Sequence, residues 1–281
     1  MAVKLIIDSA SDISVKEAQE LGVAVVPLTI TFGEEDFEDG VTLSPVQFYE
    51  KLVNEKSLPK TSQANAFKFE EEIEKIVNSG DEAVIITISS KLSGTYNSAC
   101  QAASKYEGKV YVVDSMTACS GEGLLGLYAV ELINQGKSAK EIVGELEVQK
   151  DKIHVFAMID TLKYLKKGGR ISAVAAFAGE LLSLKPIVKM VDGQVKMIGK
   201  CMGAKKGMAF LDKVIANNGG IDYSKPYCLI WSGTEDSNVK KYIEESTTDW
   251  KDKDKLERRI LGGTIGTHIG PGAVGVAFFA K

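Results

Sequence analysis

Two hydroxyl-rich stretches and one histidine carry the chemistry that this sequence can offer. The first stretch is Ser89-Ser90-Lys91-Leu92-Ser93-Gly94, set between an apolar run (83–88) and an Ala-rich segment (95–105). The second is Pro59-Lys60-Thr61-Ser62-Gln63, with a helical pattern over 66–78 close behind it. The histidine is His268, in a Gly-rich loop over 264–275. A helix N-terminus presents unpaired N–H groups and about half a unit of positive charge, so anions bind there. Ser93 and Gly94 stand where one helix begins; Thr61 and Ser62 stand ahead of another. Taken alone, Ser93 reads as an ordinary N-cap. Two such loops together could bring hydroxyl and backbone donors onto one small anionic group. The competing chemistry is a serine nucleophile with a histidine base, an esterase built on Ser93 and His268.

The elements that must position these groups follow from the hydrophobic pattern. Strands are predicted at 3–7, 23–32, 83–88 and 109–114. Helices alternate with them: one from Ser14 to before Gly22, then 45–54, 66–78, 94–106, 121–135 and 139–150. Ser44, Pro45 and Gln47 form one capping-box start, and Ser138 with Glu141 forms another. The acidic turn at 33–40 reads as an exposed hairpin or loop. This alternation implies a parallel, doubly wound sheet, with Asp8 and Ser9 at its carboxyl edge, where sites form. After residue 152 the rhythm changes. A strand (153–159) precedes two helical segments, and strands 186–191 and 195–201 flank the hairpin signal Asp192-Gly193. Helix 203–217, strand 227–232, helix 237–250, strand 255–261 and strand 273–280 follow. The expected organisation is an α/β, Rossmann-like unit over 1–152 and an α+β unit with a mixed sheet over 153–281.

Composition narrows the function. The chain has 281 residues, 44% hydrophobic and 26% charged, with net charge −4. That balance lacks the basic footprint of a nucleic-acid binder. Cys100, Cys119, Cys201 and Cys228 show no C-x-x-C spacing and read as free thiols of a reducing compartment. With only two histidines, His154 and His268, no metal-ligand pattern forms. The N-terminal run turns polar at Asp8, too early for a secretory signal. The apolar segment 171–184 is too short to span a bilayer. A cytoplasmic protein with no transmembrane segment is expected.

Three tempting motifs fail on context. Gly121-x-Gly123-x-x-Gly126 matches a dinucleotide fingerprint, but its glycines stand six residues past the strand end, and the position for the acidic partner falls inside the next helix, near Glu141. They read as helix-packing positions. Gly136-Lys137-Ser138 has the tail of a P-loop, but the residue that should be its first glycine is Glu131. No serine sits in G-x-S-x-G.

The segments IIDSASDIS (6–14), PKTSQ (59–63), SSKLSGTYNSA (89–99), VVDS (112–115), TLKYLKKGGRIS (161–172), KPIV (185–188) and GTHIGPGAVG (266–275) together resemble the DegV family of bacterial fatty-acid-binding proteins. The resemblance runs the length of the chain, with seven motifs in one order. It implies one long-chain fatty acid, such as palmitate or stearate, held between the two units, and no other cofactor. It carries the carboxylate contacts onto Thr61, Ser62, Ser93 and Gly94, with His268 beside them. It also implies a mouth or partner surface at Arg170, with Lys166 and Lys167 adjacent. Arg170 reads equally as a charge closing a helix after Gly168-Gly169. Segment 172–184 is a candidate wall for the tail. The family's role is to present the acid to a fatty acid kinase, which makes the acyl phosphate. On this reading the chain is a monomeric carrier with no catalytic residues, and transient membrane contact is compatible with it.

Overall fold

The computed structural model describes residues 2–55, 57–171 and 183–281. In chain order its first elements are β1 (Val3–Asp8), α1 (Val15–Leu21), β2 (Ala24–Val26), β3 (Thr29–Phe32), β4 (Glu35–Glu38), α2 (Pro45–Asn54) and β5 (Lys60–Ser62). Next come α3 (Ala66–Asn78), β6 (Glu82–Thr87), α4 (Thr95–Ala103), β7 (Val110–Asp114), α5 (Ser120–Asn134) and α6 (Ala139–Gln149). The remainder is β8 (Ile153–Met158), α7 (Lys163–Gly168), β9 (Leu184–Val191), β10 (Gln194–Met202), α8 (Ala204–Asn217), β11 (Tyr227–Trp231), α9 (Ser237–Glu245), β12 (Arg258–Ile260), α10 (Gly263–Ile269) and β13 (Val274–Phe279).

β2, β1, β6 and β7 form a parallel four-stranded sheet in that order. Its strands are apolar on both faces, as a sheet covered twice must be. Ile6, Ala83 and Ile85 pack on one side with Phe69 and Ile73 of α3 and Ala99 of α4. Leu5, Ile7, Val84 and Ile86 pack on the other with α5 and α6. The expected doubly wound architecture is present. The second sheet is mixed, in the order β10-β9-β8-β13-β11-β12, with only β11 and β12 parallel.

α5 lies between the two sheets. Val155 and Ala157 of β8 and Ala277 and Phe279 of β13 share its hydrophobic cluster with Ile7 and Val84. A helix buried on all sides needs small residues where backbones approach. A Cβ on Gly121 would stand 2.5 Å from Val155, on Gly123 2.4 Å from the Ser11 carbonyl oxygen, and on Gly126 2.8 Å from Ile7. The glycines of the fingerprint-like motif are packing residues, as their context implied.

Several expectations change in detail. The predicted strand 23–32 splits at Pro27: β2 joins the parallel sheet, while β3 turns away to form a small antiparallel sheet, β4-β3-β5. The acidic turn is the β3–β4 hairpin, but Asp39 at its end is buried, not exposed. Thr61 and Ser62 stand on a short strand, β5, and not in a loop. The Gly-rich segment bearing His268 is a helix, α10, because Gly263 and Gly266 let it press against Phe48 and Tyr49 of α2. Ser93 is not the N-cap of α4; Gly94 is, with no side-chain cap. The helix predicted to 250 stops at Glu245, because Ser246, Thr247 and Thr248 turn to hydrogen-bond the Asp212 carboxylate. β12 covers only three residues of the predicted 255–261. Both capping boxes form as read. The predicted hairpin forms with Asp192 at φ 51° and Gly193 at φ 76°, the left-handed pair that a two-residue turn requires.

Gly123→Ala should destabilise the fold by roughly 1–3 kcal/mol, since the obstacle is backbone and outweighs the helix-propensity gain. Urea unfolding checks this; an unchanged midpoint would mean that α5 has room to spare.

Candidate functional site

Beside the start of α5, between the two sheets, lies a cavity. Its walls are mostly apolar: Ile88, Ala118, Val155, Ala157, Val188 and Met190 line it, and Ile230 and Leu261 approach from β11 and the segment before α10. Thr61, Ser62, Gln63, Ser93, Arg170 and His268 also line it. Of the sequence-expected residues, Thr61, Ser62, Ser93, Arg170 and His268 therefore meet, brought from β5, the β6–α4 loop, the end of α7 and α10; Gly94 does not line the cavity.

Their contacts are specific. Thr61 Oγ1 lies 2.9 Å from His268 Nε2. Ser93 Oγ lies 2.9 Å from Thr95 Oγ1 and accepts the Thr95 N–H at 3.3 Å. Gln63 donates its amide to Ser98 Oγ at 2.9 Å, and its Oε1 is so close to Gly94 that a Cβ there would stand 2.0 Å away. Ser62 is exposed. Arg170 donates from Nη1 to the Gly168 carbonyl at 2.7 Å and from Nε to the Leu92 carbonyl at 3.2 Å. It thus closes the end of α7 and also lines the cavity. Lys166 and Lys167 are exposed on α7 and do not line the cavity. Segment 172–184, read as a tail wall, lies outside the described residues over 172–182.

Buried carboxylates hold this arrangement from behind. Asp39 accepts the Gly263 N–H at 2.9 Å and the Thr264 N–H at 3.1 Å, capping α10 from 224 positions away. Asp12 accepts the Gly262 N–H at 2.9 Å and the Ser120 hydroxyl at 2.8 Å. Asp8 accepts the Ile88 N–H at 2.8 Å, just before the Ser93 loop. Burial raises Asp8 to about 7 despite its N–H partners, and it raises Asp39 as well. From the other sheet, the hairpin tip reaches the same loop, with Ser89 Oγ donating to the Gly193 carbonyl at 2.8 Å. Sequence reading missed Gln63 and Asp39 as site residues. Gln63 lay within a matched motif; nothing local distinguishes Asp39 from its exposed acidic neighbours.

Burial, then the charge of Arg170, lowers His268 from 6.5 to about 4, so its imidazole is neutral near pH 7. His268 Nδ1 is buried and has no hydrogen-bond partner among the described residues, so no carboxylate orients the ring. With Nε2 on Thr61 and the Ser93 hydroxyl on Thr95, the nucleophile–base pair of an esterase is not formed.

Fold and site define an α/β protein with an apolar-walled cavity whose lining includes hydroxyls, an amide and a neutral imidazole. The chain belongs to the DegV family: the family model described as "Uncharacterised protein, DegV family" matches residues 2–281. A DegV domain-containing protein of Halalkalibacterium halodurans is 34% identical over 281 residues, 99% of each chain. Among solved structures, a fatty-acid-binding DegV family protein of Thermus thermophilus is 30% identical over the whole of both chains, with a TM-score of 0.89. A stearic-acid-binding protein of Eubacterium ventriosum is 26% identical over 100% of this chain and 99% of its own, with a TM-score of 0.86.

The lowered His268 predicts a signature in stability. The unfolded chain takes up a proton near pH 6.5 that the native imidazole refuses until about 4, so this group's contribution falls as pH drops through that window. His268→Gln should reduce the stability lost between about pH 7 and 5 by roughly 1–2 kcal/mol relative to the parent. Urea titrations at both pH values measure it; an identical pH dependence in the variant would mean that His268 titrates normally.

Proposed function

We propose that this chain binds one long-chain fatty acid, tail in the cavity and carboxylate at Thr61, Ser62, Ser93 and Gly94 with His268 beside them. We further propose that it presents the acid to a fatty acid kinase for conversion to the acyl phosphate. The observation that carries the binding step is an apolar-walled cavity with hydroxyls, an amide and an imidazole among its lining groups. Each buried methylene contributes about 0.8 kcal/mol, so a fourteen-methylene chain supplies roughly 10 kcal/mol of gross driving force. A carboxylate taken from water is costly unless hydrogen-bonded, which is the role of the hydroxyl cluster. The relatives described as binding fatty acids support the same reading.

On this reading the ligand lies between a unit over 1–152 and a unit over 153–281. The chain is a cytoplasmic carrier with no catalytic residues, and catalysis resides in the partner kinase. Arg170, Lys166 and Lys167 form the surface that meets the kinase, and transient membrane contact serves loading.

Protein purified from cells should carry a fatty acid near one per chain by mass spectrometry of the denatured extract. No acyl species, together with no uptake of added palmitate, would sink the binding reading. Ser93→Ala should weaken palmitate binding by about 1–3 kcal/mol, the cost of leaving a buried anion short of a donor. For delivery, the double substitution Lys166→Glu and Lys167→Glu should leave bound lipid unchanged. It should slow kinase- and ATP-dependent acyl-phosphate formation at least several-fold, because rim charges act on partner approach. Unchanged phosphorylation would remove these lysines from the docking surface.

A further inference from the structure

We infer that Glu122 and Asp8 share one proton at neutral pH, so that an un-ionised Glu122 donates to the Asp8 carboxylate and fastens the start of α5 to the end of β1. Glu122 lies in the first turn of α5. It is fully buried, and neither of its carboxyl oxygens receives a donor or pairs with a cation among the described residues. Asp8 is equally buried, but its two oxygens accept the Ala10 N–H at 2.9 Å and the Ile88 N–H at 2.8 Å. The two carboxyl groups face each other within hydrogen-bonding reach. The Asp8 backbone N–H also lies near Glu122 without closing a hydrogen bond to it. Around them the packing is tight. A Cβ on Gly123 would stand 2.4 Å from the Ser11 carbonyl oxygen, and Asp12 accepts the Ser120 hydroxyl at 2.8 Å.

An ionised carboxylate with no donor is not sustained in an interior. One proton between the pair removes that penalty. It belongs on Glu122, because the two N–H groups favour the charge on Asp8. The pair then titrates as a unit. The other ionisable groups that face it are acidic: Asp12 beside Glu122 and Asp39 beside Asp8. Arg259 lies by Asp12 but is engaged by Glu17 and Glu257. Burial, then these carboxylates, raise Glu122 well above its ordinary 4.5. The shared proton bears on the cavity from two sides. Ile88, whose N–H Asp8 holds, lines the cavity, and so do Ala118 and Cys119 just ahead of α5. Glu122 does not line it and acts through Asp8, as a positioning residue. The proton assignment stands by itself; its effect on the cavity rests on the fatty-acid reading for the ligand.

Carbon-13 NMR of protein labelled at its glutamate carboxyls needs no variant. One glutamate should keep the un-ionised shift between about pH 6 and 8, where an ordinary one has long lost its proton. Every glutamate ionised in that range overturns the inference. Glu122→Gln should abolish that signal; its persistence there would assign the proton elsewhere and overturn it as well. Unfolded Glu122 is ionised by about pH 6 while the native group holds its proton, so the parent loses stability as pH rises. The urea midpoint of Glu122→Gln should therefore fall by at least about 0.5 M less than the parent's between pH 6 and 8. Equal falls overturn the sharing. Displacement of a fluorescent fatty acid by palmitate at pH 7 reads the positioning. Glu122→Gln, which keeps a donor for Asp8, should stay within a few-fold of the parent, and Glu122→Leu, which has none, should lose about 5- to 50-fold. Parent-like binding by Glu122→Leu overturns the positioning role. If the un-ionised glutamate is present and the parent takes up no palmitate, the fatty-acid reading fails while the proton assignment stands.

Discussion

The structure depends on buried carboxylates accepting the backbone N–H groups of turns at the sheet edges. Asp39 is the key example. Its two oxygens take the first N–H groups of α10, and Ser9 donates to it from the end of β1. One side chain thus joins the small antiparallel sheet, the parallel sheet and the helix that carries His268. Asp12 repeats the pattern on Gly262 and Ser120, and Asp8 on Ile88. A helix end buried without such partners would leave several orphan donors. Through Asp39 and Asp12 these bonds join segments more than 200 positions apart.

These pins also explain how a cavity survives in a close-packed interior. α5 fills the space between the sheets along its length, using Gly121, Gly123 and Gly126 where backbones nearly touch. Beside its start, Ala118 and Cys119 face Val155, Ala157 and Ile230 across open space. The elements around that space are tied to one another by polar contacts: Arg170 to Leu92, Ser89 to Gly193, Thr61 to His268. Collapse onto the void would break them.

The polar end of the cavity combines neutral donors with the Arg170 guanidinium. Hydroxyls, an amide and a neutral imidazole satisfy oxygens by geometry, and Arg170 adds charge while its guanidinium spans two carbonyls. Ser93 and His268 line the same cavity, yet each pairs with a threonine and not with the other.

Much of this was legible in the sequence, and for local reasons. Ser44, Pro45 and Gln47 dictate the start of α2, Asp192-Gly193 dictates a two-residue turn, and the runs at β1 and β6 are apolar on both faces because helices cover both. The sequence by itself therefore determined most elements outside β3, β5 and α10, the doubly wound first sheet, the mixed second sheet, and the family to which the chain belongs. Its local signals failed where a distant partner sets the outcome. Pro27 divides one apolar run between two sheets, and α10 is helical through four glycines and threonines because Phe48 and Tyr49 press on it and Asp39 caps it. Asp39 itself looks like any residue of an exposed acidic turn. Only the tertiary structure decided that Thr61 meets His268 while Ser93 meets Thr95, and that the imidazole is neutral. Hydrogen-bond partners and desolvation arise between segments hundreds of positions apart, and no periodicity or spacing along the chain encodes them.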